Sequence, residues 1–186
     1  AFYTIENEEQ HFTGDIYHSE GITAYCNELK ATAHVFNGDK IFTNGGYTSP
    51  AEYWYYAKTH DEDFKAKVIP NVIIQGVQNE IDSAEYEMNI VRSMPANFVN
   101  NIHLYIGYSY QVEPLIRMCN YIKQFTGHDI LSNEAGIYQD NPDLIADLMR
   151  LAKGAGMRYM IFYSGDGSGG AYPITAEQIM IEAAKN

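Results

Sequence analysis

The chain has 186 residues, 24 of them Asp or Glu against 12 Lys or Arg, for a formal charge of −12. That length supports one domain with a sizeable core, and that charge sets nucleic acid and anionic membrane surfaces aside as partners. No leader or membrane-spanning run is legible, and Ala1 directly before a strand reads as a processed or truncated start.

Short apolar runs alternate with helical segments, which predicts an α/β fold on a parallel sheet. FYTIE (2–6) reads as the first strand. Ser19 is placed to cap a helix running to about Val35, with Ile22, Cys26, Leu29 and Ala33 on one face. IFTNGG (41–46) reads as a strand ending in a glycine turn, and AEYWYYAK (51–58) as the start of a helix. VIIQGVQNE (72–80) fits a strand by its Val and Ile content and a helix by the stripe Val77, Ile81, Met88 and Val91. NIHLYIG (101–107) is a strand, and Pro114 and Gly127 bracket the next helix with the expected asymmetry. DILSNEAG (129–136) is a strand, and Asn141–Pro142 opens a helix that Gly154 and Gly156 close. MRYMIFYSGDG (157–167) is a strand running into a glycine-rich loop, and Thr175 with Gln178 forms a capping box before the last helix. The reading is a single α/β domain over 1–186, with five strands and a mainly helical insertion over 50–98.

The two cysteines, Cys26 and Cys119, read as buried free thiols. There is no CxxC, and His11 and His18 are too isolated for a zinc site, so no metal or other cofactor is expected.

The chemistry-bearing residues gather at strand ends. Glu8, directly after Asn7, closes the first strand, and Glu134 closes DILSNEAG. Paired carboxylates at one rim of a parallel sheet are what glycosidic cleavage needs: one protonates the leaving oxygen, the other attacks or activates water. The Asn7 amide can hold a sugar hydroxyl while Glu8 donates the proton. His103 and Tyr105 are two residues apart and share a strand face, from which a tyrosine hydroxyl can hold a nucleophilic carboxylate ionised. Asn44 precedes Gly45–Gly46, where the backbone can be approached closely. Phe162 and Tyr163, with Asp166 in the following loop, can floor a sugar ring; the 16 tyrosines suit the same purpose.

In order, IENEE, KIFTNGGYTS, NNIHLYIG, GHDILSNEAG and MIFYSGDG resemble the C-terminal half of a clan GH-A, cellulase-like glycoside hydrolase. The resemblance implies a parallel (β/α) barrel of TIM type, of which this chain covers roughly the second half, strands 4 to 8. It implies Glu8 as acid/base, Asn7 on the sugar 2-hydroxyl, Glu134 as nucleophile, Tyr105 against that nucleophile and His103 lining the pocket. Where the clan usually carries Trp on its last strand, this chain has Phe162 and Tyr163. Asn79–Glu80 is a rival for the acid/base pair, set back because one clear strand, not two, separates it from Glu134.

A complete barrel of this type typically has about 250 residues, so the missing N-terminal half-barrel or a second copy is an expected partner beside an oligo- or polysaccharide. The substrate class points to an extracellular or secreted setting. Two other readings stay open. One is a non-catalytic carbohydrate-binding or structural barrel, since fold does not prove chemistry. The other is an unrelated phosphate-binding α/β enzyme, although SGDGSGG (164–170) lacks both GK[ST] and GxGxxG spacing.

Overall fold

The structure, a computed structural model, describes residues 2–4, 19–35, 40–47, 49–139, 141–162 and 174–185. Asn7, Glu8, Tyr163, Asp166 and the SGDGSGG segment lie outside the described residues. The strands are β1 (Phe2–Thr4), β2 (Ile41–Thr43), β3 (Phe98–Asn101), β4 (Leu104–Ile106), β5 (Ile130–Ile137) and β6 (Met160–Phe162). Every pairing between them is parallel. Phe2 lies beside Ile41, Phe42 beside Phe98, Asn100 beside Ile130, Tyr105 beside Gly136, and Phe162 beside Ala135. β3 and β4 both pair with β5 and are halves of one strand interrupted at Ile102–His103. The strands therefore follow one another across the sheet in chain order, and the sheet curls into a half-barrel.

Neighbouring parallel strands need a crossover, usually a helix. Helix α1 (Ser19–Ala33) joins β1 to β2. The next crossover carries α2 (Ser49–Thr59), α3 (Glu62–Val68), a 3₁₀ turn (Ile74–Val77) and α4 (Gln78–Val91). Then come α5 (Val112–Thr126), α6 (Leu144–Gly154) and α7 (Ala176–Ala183). α5 shows why these segments are helical: Leu115, Met118, Cys119 and Ile122 fall on one stripe and are all buried, each large apolar side chain contributing about 1.5–3 kcal/mol. Gly127 ends the helix at φ 77°, a left-handed position that glycine fills without strain. Asp61 caps α3 by accepting the Phe64 N–H, and also accepts from Tyr55 Oη and Arg117 Nε, both at 3.0 Å. Both cysteines are free and buried.

One open point is resolved and two features differ from the sequence reading. First, Val72–Glu80, open between strand and helix, contains no strand: it passes through the 3₁₀ turn into α4, which buries Ile81, Ala84, Met88 and Val91. That stripe outweighs the β-branched content, and Ile73 is left 73% exposed. Glu80 thus stands in the first turn of a helix, not at a strand end. Second, β2 stops at Thr43 because the Asn44 side chain, not its backbone, accepts the Asn101 N–H at 2.8 Å. Third, β5 runs on past Glu134 to Ile137, with a register irregularity on its β6 side between Ser132 and Ala135.

Candidate active site

Side chains alternate along a strand. Along β3 and β4, Ile102, Leu104 and Ile106 join the core formed with Leu115, Met118 and Leu148 of the helices. Asn101, His103 and Tyr105 therefore share the opposite face, turned away from the helices. On β5, Ile130 and Ala135 both belong to the helix-side core although they stand five positions apart, an odd spacing. A regular strand cannot do this, so the irregularity acts as a bulge that adds one residue and re-aims Asn133 and Glu134 together.

The two strands then meet through a row of polar pairs. The Asn101 amide donates to Asn133 Oδ1 at 2.7 Å, and the Asn133 N–H donates to Asn101 Oδ1 at 3.0 Å. The Tyr105 hydroxyl donates to Glu134 Oε1. His103 Nδ1 lies 3.8 Å from Glu134 Oε2, beyond hydrogen-bond range, and its side chain is fully buried while that of Glu134 is 19% exposed. One carboxylate oxygen is thus anchored by a phenol, and the other faces an imidazole. A carboxylate fixed in one rotamer and still reachable from solvent can act as a nucleophile or a base. Gly46, at φ 93°, lies against this group: a Cβ there would stand 2.4 Å from His103 Nε2 and 2.7 Å from Asn101 Nδ2.

Behind the row is a buried amide–acid pair. The Asn44 amide, fully buried, donates to Glu87 Oε1 at 3.0 Å, and Asn44 O accepts from Asn101 Nδ2 at 3.2 Å. Asn44, Asn101 and Asn133 therefore form a ladder across three neighbouring strand positions. Burial pushes the Glu87 carboxyl up to about 8, and the Asn44 hydrogen bond offsets only part of that.

A cleft of about 520 Å³ opens at the C-terminal ends of β4 and β5. Tyr105 forms part of its wall, so it adjoins the Glu134 carboxylate. Tyr108, Tyr138 and Gln139 come from the strand ends, and Glu52 and Asn71 from the helical crossover. The Tyr105 and Tyr138 rings stack with centroids 5.2 Å apart. The loop is held by Gln111, whose Oε1 accepts the N–H groups of Gly107 and Tyr108 at 2.8 and 3.1 Å. Glu52 is partly buried, and desolvation pushes its carboxyl up to about 7. A second cleft, of about 490 Å³, lies at the opposite ends of β3 and β5 around Phe98 and Asp129.

Of the residues singled out by sequence, the structure brings Glu134, Tyr105 and His103 together. Asn44 is part of the supporting ladder, with its amide engaged by protein groups. Phe162 lies beside Ala135 and packs on the helix-side core. Asn7, Glu8, Tyr163 and Asp166 lie outside the described residues. Glu87 escaped notice, although an acid within the stripe Ala84, Met88 and Val91 is a signal of a buried carboxyl; so did Glu52, an acid beside the buried Ala51. Among the described residues no group of three His, Cys, Asp or Glu side chains is placed to hold a metal ion, and no helix is long and apolar enough to cross a membrane. The chain matches no protein-family model, no curated protein and no solved structure.

Proposed function

We propose that this chain belongs to a retaining glycoside hydrolase that cleaves β-glycosidic bonds by double displacement on a TIM-type barrel. The observation that carries the reading is the Tyr105 hydroxyl donating to the Glu134 carboxylate on the face of a curled parallel sheet turned away from its helices. A phenol donor stabilises the ionised form and fixes its direction of attack. In this reading Glu134 attacks the anomeric carbon while Glu8 protonates the leaving oxygen. Water, deprotonated by Glu8, then releases the sugar from Glu134. Retention requires the two carboxyls roughly 5–5.5 Å apart. Asn7 holds the 2-hydroxyl, His103 lines the pocket and Asn44 acts through the ladder. Tyr163 and Asp166 extend the sugar floor, no cofactor takes part, and a complementary half-barrel or a second copy closes the sheet.

Glu134→Gln tests the reading. It keeps the size of the side chain and removes the nucleophile, so turnover of β-linked aryl glycosides and polysaccharides disappears while the fold stays intact. Turnover at the wild-type rate in that variant ends the proposal. The alternative, a non-catalytic carbohydrate-binding barrel, draws on Tyr108 and Tyr138, whose rings are about half exposed beside the cleft. It predicts sugar binding without turnover in the wild-type chain.

A further inference from the structure

We propose that the cleft beside Tyr105 is a binding subsite for a neutral oligosaccharide, with Tyr108 and Tyr138 as stacking faces and Glu52, Asn71 and Gln139 as hydrogen-bonding partners. The inference rests on the sugar-hydrolase reading of Glu134 and adds where the rest of the chain of sugars lies.

Three observations converge on it. The first is continuity: Tyr105 is part of the cleft wall, and its hydroxyl donates to Glu134, which stands behind that wall. A ligand in the cleft is therefore next to the sugar at the carboxylate. The second is shape and surface. About 520 Å³ lies within the roughly 300–1,000 Å³ typical of small-molecule sites. Tyr138 is 58% exposed and Tyr108 is 49% exposed, and each is backed by another ring: Tyr138 by Tyr105, Tyr108 by Tyr110. Aromatic faces suit the CH faces of sugars. The third is charge, where among the described residues no Lys, Arg or His lines the cleft, so an anionic ligand finds no counter-ion among them. The one acid among the described lining residues, Glu52, has its carboxyl pushed up to about 7 by desolvation, which keeps a large protonated fraction near neutrality. Tyr53 on the same helix, raised by burial, and Cys119 on α5, pushed up to about 12, are uncharged there, and the acid Glu80, which also acts on Tyr53, is itself raised by burial. A protonated carboxyl donates and accepts, as do the amides of Asn71 and Gln139, and this matches sugar hydroxyls.

The test is a binding titration on the full chain carrying Glu134→Gln, which blocks turnover. The probes are cellotetraose, mannotetraose and xylotetraose, with tetragalacturonate as an anionic control. At least one neutral tetrasaccharide binds, and Tyr108→Ala and Tyr138→Ala each weaken it about tenfold, while tetragalacturonate does not bind. Tyr108 and Tyr138 are exposed, and unchanged thermal unfolding of each variant confirms that the fold is kept. Undiminished binding in both variants, preference for the anionic control, or no binding by any neutral probe would overturn the subsite. Binding that depends on these tyrosines, in a protein whose wild type hydrolyses nothing, keeps the subsite and removes the hydrolase reading. Hydrolysis that both tyrosine variants leave unaltered does the reverse.

Discussion

Glu87 makes a prediction that needs no substrate. Its carboxyl is 4% exposed, on the buried side of α4, and accepts from the Asn44 amide. Its folded proton affinity corresponds to about 8 against an ordinary 4.5. Below pH 4.5 both folded and unfolded chains hold the proton, and Glu87 contributes no pH dependence. Between 4.5 and 8 the unfolded chain has lost it while the folded chain retains it. The folded state then binds more protons, so stability falls as pH rises, and the loss is complete above about 8. At about 1.36 kcal/mol per tenfold in proton affinity, the ceiling is about 5 kcal/mol. Relaxation around an ionised carboxyl lowers this, and a loss of about 2–5 kcal/mol is expected. Glu87→Gln keeps an acceptor for Asn44 and removes the ionisation. The measurement is urea unfolding of both proteins at pH 5, 6.5 and 8.5. The variant matches wild type at pH 5 and is more stable than it by that margin at pH 8.5. Stability curves that stay parallel across this range would show that Glu87 keeps an ordinary proton affinity in the folded chain, since every other titrating group is common to both proteins.

Other outcomes follow from the same geometry. Gly46→Ala brings a Cβ to 2.4 Å from the His103 ring at a backbone φ of 93°; denaturant melts should show a loss of about 2–4 kcal/mol. Asp61→Ala removes the α3 cap together with the acceptor for Tyr55 and Arg117, and should cost about 2 kcal/mol in the same assay. Tyr105→Phe removes a charge-assisted hydrogen bond to Glu134. At about 1.5–3 kcal/mol for such a bond, kcat/KM on a β-linked aryl glycoside should fall roughly 10–150-fold, with unfolding little changed.

The parts of the fold that the sequence makes legible are those set by local periodicity. α5 and α6 carry apolar stripes that admit one reading, and Pro114 and Gly127 mark the ends of α5. The strand runs at 41–43 and 130–137 stand between such helices, which forces a parallel order. Residues 72–80 resist because valine and isoleucine favour strands locally, while the stripe that decides for a helix, Ile81 to Val91, lies almost wholly beyond them. The site divides along the same line. His103 and Tyr105 are legible as a pair because a spacing of two is a local property. The Asn44–Asn101–Asn133 ladder is not, because its members lie 57 and 32 residues apart and nothing near any one of them signals the others. The bulge that turns Glu134 toward Tyr105 is equally silent: it emerges only when Ile130 and Ala135 are both found on the helix side.

In the proposed reaction Glu134 is the residue that bonds to the sugar. An activated 2-deoxy-2-fluoro β-glycoside slows release of the covalent intermediate and leaves the sugar on the nucleophile, where peptide mass spectrometry can find it. Glu134 should carry the adduct across the sugars that the protein accepts, and Glu134→Gln should carry none. An adduct on a different carboxylate, or turnover of the parent glycoside with no adduct at Glu134, would take the nucleophile's role away from Glu134.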